Sequence, residues 1–283
     1  MWHTTRRVRE MIIIQHGIVF APIVLLTILI AIIFHECAHG LMAKWNGDLT
    51  AKFARRITLN PARHFDLAGF AMLALVGFGY AKPVPVNVEN FKNKKRGVVL
   101  TSLAGIKINI ILAIFSAFFL VILERYGAFS GSISHGPNIG MTHLYALLRF
   151  SRPAIGYVPY LPNAVYATTY VFGVFFFSLL QINIMLALFN LLPLWPLDGH
   201  RLLEQGLGSY NKVVKFLRDY GMVILLVLVA INIFFAIISS FVWPPLINFS
   251  PLAALMHFGG GGLQQVFLNL FRVMFGVPPL WVF

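Results

Sequence analysis

The sequence predicts an all-α polytopic membrane protein with about four to six transmembrane helices. Of its 283 residues, 59% are hydrophobic and only nine are Asp or Glu. A mean hydropathy of +0.80 indicates more apolar surface than a soluble domain of this size could bury. The apolar residues are also grouped into runs long enough to cross a bilayer.

The charge of the chain fits a membrane protein as well. A formal net charge of +13 would indicate a nucleic-acid partner in a soluble protein. In a membrane protein, the same excess of Lys and Arg is typical of cytoplasmic loops. We therefore expect a lipid bilayer as the environment and no nucleic acid as a partner.

Long apolar runs mark the expected spans. The first run, residues 11–34, is too long for the apolar part of a signal peptide and has no cleavage-site pattern after it, so we expect it to be retained. The later candidates are residues 98–123, 166–192, 221–243 and, more weakly, 263–283. These runs predict a membrane-embedded core at 1–220 and an additional transmembrane or C-terminal segment at 221–283.

A shorter apolar stretch, residues 66–81, lies between two basic loops and contains three glycines. If it crossed the membrane, loops 44–64 and 82–97 would face opposite sides. If it enters and returns, both loops lie in the cytoplasm with the basic loop 199–219, and loop 124–165 lies outside. We therefore expect a short re-entrant or β element that lines a cavity, because non-helical backbone at membrane depth needs such cover.

Ionisable residues follow directly after the first apolar run, in the sequence HECAH. His35 and His39 lie one turn apart on one helix face, about 40° apart, with Glu36 at its edge. This spacing matches H-E-x-x-H, which supplies two zinc ligands and a general base. Cys37 points to the other side of the helix and is not expected to be a ligand. The alternative is a buried, hydrogen-bonded His–Glu cluster.

A catalytic zinc takes a third protein ligand and keeps one position open. Asp198 is the preferred candidate, because acidic residues are scarce and Pro193 and Pro196 break the apolar run just before it. A helix N-cap is the alternative role for Asp198, and the two roles are compatible. His200 is the rival third ligand.

Taken together, these motifs resemble the site-2 protease family, whose members are zinc metalloproteases that cut within the membrane. The resemblance rests on HECAH, on AKPVPVN at residues 81–87, and on Asn190-x-x-Pro193 followed by the sequence LDG at 197–199. The chain is most similar to the compact bacterial and archaeal type without PDZ or CBS domains.

The resemblance implies a three-helix metalloprotease core with one Zn²⁺ per chain. His35, His39 and Asp198 would be the metal ligands, and Glu36 would be the general base. The protein would be a multi-pass protein of the cell membrane with its active site near the cytoplasmic side. It would hydrolyse a peptide bond within the transmembrane segment of a single-pass membrane protein.

One family motif is altered in this chain. The family often has A-G-P-x-x-N in the next core helix, whereas residues 104–109 read AGIKIN, with Ile106 in place of the proline. Asn109 remains, and the resemblance implies a catalytic role for it near the reacting carbonyl. Its alternative role is an interhelical hydrogen bond.

Two other functions are compatible with intramembrane His, Glu and Asp. A metal or proton transporter could use the same residues, but it would usually show repeated halves with paired broken helices, and the sequence has no internal repeat. A non-catalytic relative that only binds membrane proteins would usually have lost Glu36 or a ligand, and all of them are present.

Overall fold

A computed structural model describes the backbone of residues 2–69, 71, 79–126 and 164–241, and side chains within 22–69, 71, 79–123 and 171–231. The helices with defined bounds are α1 (Trp2–Trp45), α2 (Thr50–Phe53), α3 (Lys94–Tyr126), α4 (Ala164–Leu191), α5 (Asp198–Leu207), α6 (Lys212–Asp219) and α7 (Gly221–Phe241). Short 3-10 turns occur at Pro61–Arg63 and Val88–Asn90.

Within these described ranges, three helices are long and apolar enough to cross a membrane, judged by length and composition. They are Pro22–Trp45 in α1, Lys94–Leu123 in α3 and Val171–Leu191 in α4. The predicted class, an all-α polytopic membrane protein, is therefore confirmed. Helix α1 includes the apolar run 11–34 and continues through HECAH to Trp45 without a break.

The chain packs as two compact units. The unit that carries HECAH comprises Ile30–Ile111 and resumes at Asn183. In this unit, Ala43 of α1 packs with Phe91 and with Val98 of α3, all of them buried. The contact fixes the end of α1 against the start of α3. In the other unit, the rings of Phe119 and Phe176 stack with centroids 4.9 Å apart.

The break between α4 and α5 brings the acidic residue of the LDG motif to a helix start. Helix α4 ends at Leu191, two residues before Pro193. A Cβ atom added to Gly199 would lie only 2.6 Å from the carbonyl carbon of Leu191. Only glycine therefore allows the first turn of α5 to approach the end of α4 this closely. Asp198 is the first residue of α5 as a result.

Several predicted segments fall partly or wholly outside the described residues. Of the stretch 66–81, residues 67–69 and 71 are helical, residues 79–81 have no regular structure, and no β-strand occurs in the part of the chain that is described. The β element thus stays a prediction. Most of loop 124–165 lies outside the described residues, as does everything after residue 241.

Two basic loops are in direct contact with each other. The backbone N–H of Lys92 donates to the carbonyl of Asn46 at 2.9 Å, and the N–H of Asn87 donates to Asp48 at 2.7 Å. Loops 44–64 and 82–97 are thereby joined. This contact supports the re-entrant interpretation of the stretch between them.

Cysteine labelling tests this topology in a Cys37→Ser background. Single cysteines at Asn46, Asn93 and Ser209 are expected to react only from the cytoplasmic side, because these loops carry the excess of positive charge. A cysteine at Ser134 is expected to react from outside. Labelling of positions 46 and 93 from opposite sides would show that residues 66–81 cross the membrane.

Candidate metal centre

Three ligand groups converge between α1 and the start of α5. The Nε2 atoms of His35 and His39 lie 3.0 Å apart. Oδ2 of Asp198 lies 3.4 Å from Nε2 of His35 and 3.1 Å from Nε2 of His39. All three residues are buried. Together they form a group that could hold a metal ion.

The spacing of these atoms fits zinc. Zinc–nitrogen bonds of about 2.0–2.1 Å place tetrahedral ligand atoms about 3.3 Å apart, and the observed separations run from 3.0 to 3.4 Å. Oδ2 of Asp198 is buried and has no hydrogen-bond partner of good geometry among the described atoms. A buried oxygen that faces two imidazole nitrogens without such a bond is satisfied by a cation placed between them.

Asp198 is a carboxylate at neutral pH. Burial by itself raises the pKa of Asp198, but its contacts with His35 and His39 outweigh burial and hold that pKa well below its usual range. The group therefore offers a negatively charged oxygen to the cluster, which completes an N₂O donor set of the kind that zinc peptidases use.

Both imidazoles are held with Nε2 towards the cluster. Nδ1 of His39 lies 2.7 Å from the carbonyl oxygen of Thr101, so it is the protonated nitrogen and donates to that carbonyl. Nδ1 of His35 lies 3.3 Å from Nδ2 of Asn109. Oδ1 of Asn109 is buried without a hydrogen-bond partner in the described residues. A 180° turn of this amide allows Oδ1 to accept the proton of Nδ1.

Helix α3 touches both histidines at Gly105. A Cβ atom added there would lie 2.6 Å from Nε2 of His39 and 2.7 Å from Nδ1 of His35. These distances are shorter than any normal contact, so the two imidazoles occupy the space that a side chain would need. The glycine of the AGIKIN motif is thus explained by the close approach of α3 to the metal ligands.

Glu36 lies beside the cluster and does not belong to it. Its Oε2 accepts a hydrogen bond of 2.8 Å from the backbone N–H of Val84. Val84 lies in the middle of AKPVPVN, so this motif runs past the acidic residue of HECAH. The two motifs are separated in sequence but adjacent in space.

Comparison with known proteins decides the family. The model of peptidase family M50 matches residues 23–231. The chain belongs to peptidase family M50, the site-2 protease family. This M50 peptidase is 34% identical over 229 residues to YwhC of Bacillus subtilis (strain 168), a protein provisionally named as a zinc metalloprotease. The alignment covers 80% of the chain and 86% of YwhC. No solved structure gives a significant match.

Family membership confirms the predicted enzyme class and cofactor: the chain is a zinc metallopeptidase. Other sequence-based candidates lie away from the metal group of this M50 peptidase. His200 is buried, and its Nε2 lies 3.3 Å from the carbonyl oxygen of Val214. The thiol of Cys37 donates to the carbonyl of Thr58 at 2.9 Å. The N-cap interpretation of Asp198 is wrong, because Leu197 occupies the N-cap position and Asp198 turns its carboxylate to the histidines.

Sequence reasoning missed three groups at the site of this M50 peptidase. Two are backbone groups, the carbonyl of Thr101 and the N–H of Val84, which leave no signature in side-chain chemistry. Gly105 stood in a recognised motif, but its role depends on a contact between helices.

Proposed function

We propose that this M50 peptidase cleaves peptide bonds within the membrane, with zinc held by His35, His39 and Asp198. The observation that carries the proposal is the position of the two histidines. They lie inside Pro22–Trp45, a helix segment long and apolar enough to span a bilayer. Ionisable residues are costly there unless they are used.

The proposed mechanism assigns proton transfer to Glu36. Zinc held by these three residues would act as a Lewis acid. Glu36 accepts the proton of the attacking water and returns it to the leaving amine. Oε2 of Glu36 accepts a hydrogen bond from the N–H of Val84. We therefore assign the proton transfer to the other carboxylate oxygen, Oε1.

The predicted role of Asn109 near the reacting carbonyl stays a prediction. Its contact with His35 supports a positioning role at the same time, because an acceptor on Nδ1 keeps Nε2 directed at the metal. The alternative of a simple interhelical hydrogen bond is consistent with this contact too, since it joins α3 to α1.

The proposed substrate is a single-pass membrane protein, and the proposed location is the cell membrane with the active site near the cytoplasmic face. HECAH occupies the last turns of α1, directly before basic loop 44–64, which supports this side. In an intact helix each carbonyl is hydrogen-bonded and wrapped by side chains. The substrate segment must therefore open near the cut before it can react.

Cleavage of a reconstituted single-span substrate tests the proposal. Gly and Pro lower the cost of opening a helix by roughly 1 and 3 kcal/mol relative to Ala. Replacing Gly, Pro or Asn near the cut with Leu is therefore expected to slow cleavage about tenfold or more.

The Glu36→Gln protein, reconstituted in the same way, gives the background rate. Equal rates for the native and the Leu-substituted substrate would contradict the requirement for helix opening. Hydrolysis confined to soluble unfolded peptides would overturn the proposed intramembrane activity.

A further inference from the structure

The segment that contacts Glu36, residues 82–87, is held in place by hydrogen bonds at both ends. At one end, the N–H of Lys82 donates to the carbonyl of His64 at 3.0 Å, and the Lys82 carbonyl accepts from the buried Arg56. At the other end, the N–H of Asn87 donates to Oδ2 of Asp48 at 2.7 Å. Val84 lies between these two attachments.

Asp48 is a buried carboxylate that has four donors. Besides the N–H of Asn87, it accepts from the N–H and the hydroxyl of Thr50 and from the side-chain amide of Asn90. Burial by itself raises the pKa of Asp48, but these hydrogen bonds outweigh it and lower the pKa. Hydrogen bonds to an ionised carboxylate are stronger than those between neutral groups. Asp48 therefore holds Thr50, Asn87 and Asn90 in fixed positions relative to one another.

Asp48 is also fixed to the helix that carries HECAH. Its backbone N–H donates to the carbonyl of Ala43 in α1 at 3.0 Å, across the turn made by Gly47 with φ of 108°. Asp48 thus connects the end of α1 to Asn87. Glu36, on the same helix, meets Val84 three residues earlier in the segment.

We propose that the backbone N–H of Val84 positions Glu36 and that Asp48 is a positioning residue that keeps Val84 in place. A glutamate side chain on a helix can adopt several rotamers. A charge-assisted hydrogen bond from a fixed amide selects one of them and sets which oxygen faces the reacting water. This inference rests on the proposed function, because it assumes that Glu36 is the general base.

Substitution of Val84 by proline removes the N–H directly. We expect Val84→Pro to lower kcat about tenfold to a hundredfold, the effect of losing a hydrogen bond to a charged group. KM for the membrane substrate and the zinc content per chain are expected to stay at wild-type values. A purely structural role of Val84 would instead lower the melting temperature or the zinc content together with kcat.

Val88→Pro is the matched control. Val88 is the first residue of a 3-10 turn, a position that accepts proline, and the preceding Asn87 is extended with φ of −107° and ψ of 107°. This variant introduces a proline four residues further along the chain, away from Glu36. We expect its kcat to match the wild type.

Asp48→Asn and a double-mutant cycle test the connection. If Asp48 acts through the Val84 amide, Asp48→Asn lowers kcat in the wild-type background and has no further effect in the Val84→Pro background. Independent, multiplying effects would overturn the positioning role of Asp48. If Asp48→Asn fails to fold, Asn90→Ala, which removes one donor to Asp48, takes its place in the cycle with a smaller expected effect.

Amide hydrogen exchange separates this inference from the proposed function. Pro83 and Pro85 carry no amide hydrogen, so a peptide over residues 82–86 reports mainly on Val84 and Val86 and leaves out the N–H of Asn87, which donates directly to Asp48. We expect faster exchange in this peptide for Asp48→Asn. Unchanged exchange would overturn the inference even if the enzyme cleaves membrane substrates. If the wild type cleaves none, the proposed function is wrong, and exchange alone decides whether Asp48 holds Val84.

Discussion

The Glu36→Gln protein is expected to keep about one zinc per chain and to lose peptide hydrolysis. Glutamine cannot take up the proton, and general-base catalysis contributes about a hundredfold to ten-thousandfold to the rate. Glu36 lies outside the metal group, and a glutamine oxygen can still accept from Val84. Alanine at His35, His39 or Asp198 is expected to abolish both zinc binding and activity.

Metal content and substrate cleavage, measured on the same purified samples, separate the two kinds of residue. His200→Ala is the control for the third ligand, since its ring contacts Val214 instead of the cluster. Full zinc occupancy in Asp198→Ala would move the third ligand elsewhere, with His200 as the first candidate. Loss of zinc from a folded His200→Ala protein would then identify His200 as that ligand. Loss of zinc from Glu36→Gln would mean that Glu36 contributes to the metal site itself.

Gly105→Ala is expected to lower zinc affinity at least about tenfold, the scale seen when groups that orient metal ligands are disturbed. The new methyl group would overlap both imidazoles, at 2.6 Å from Nε2 of His39. Helix α3 cannot easily retreat, because the neighbouring Ala104 and Ile106 are buried in its packing. Zinc retention during dialysis against a graded chelator measures the effect.

Gly206→Ala is the control for the same chemical change. A Cβ atom at Gly206 would meet nothing within 4 Å, and alanine is favoured over glycine within a helix by about 1 kcal/mol. This variant is expected to keep the zinc affinity and to be as stable as the wild type or more so. Equal chelator resistance of both variants would show that the histidines tolerate a side chain on α3.

Much of the fold could be predicted, because a bilayer requires long apolar helices and these are visible as runs. The end of α1 was harder to predict. The apolar run stops near residue 34, but no proline occurs between it and Asn46, and the single glycine there, Gly40, lies within the helix, which continues to Trp45. The two histidines could be paired from the helical repeat alone. Asp198 could be found because acidic residues are rare in this chain and because Pro193 and Pro196 break the apolar run just before it.

The contacts that orient the site could not be predicted in the same way. The partner of His39 is the carbonyl of Thr101, and every residue has a carbonyl. Its selection depends on how α3 lies against α1, which no local pattern records. The contact of Asn109 with His35 needs the same information. Sequence reasoning therefore indicated the side chains of the candidate site but not the contacts that hold them.

The cluster joins distant parts of the chain, since His39 and Asp198 belong to separate segments but their ligand atoms are 3.1 Å apart. An ion that binds both groups binds only the folded arrangement, so its binding free energy adds to the stability of that arrangement. At a free concentration a thousand times the Kd, this amounts to about 4 kcal/mol, a large part of the stability of an ordinary domain. Zinc supply would therefore set the abundance of this enzyme as well as its rate, because apoprotein would unfold and be degraded more readily.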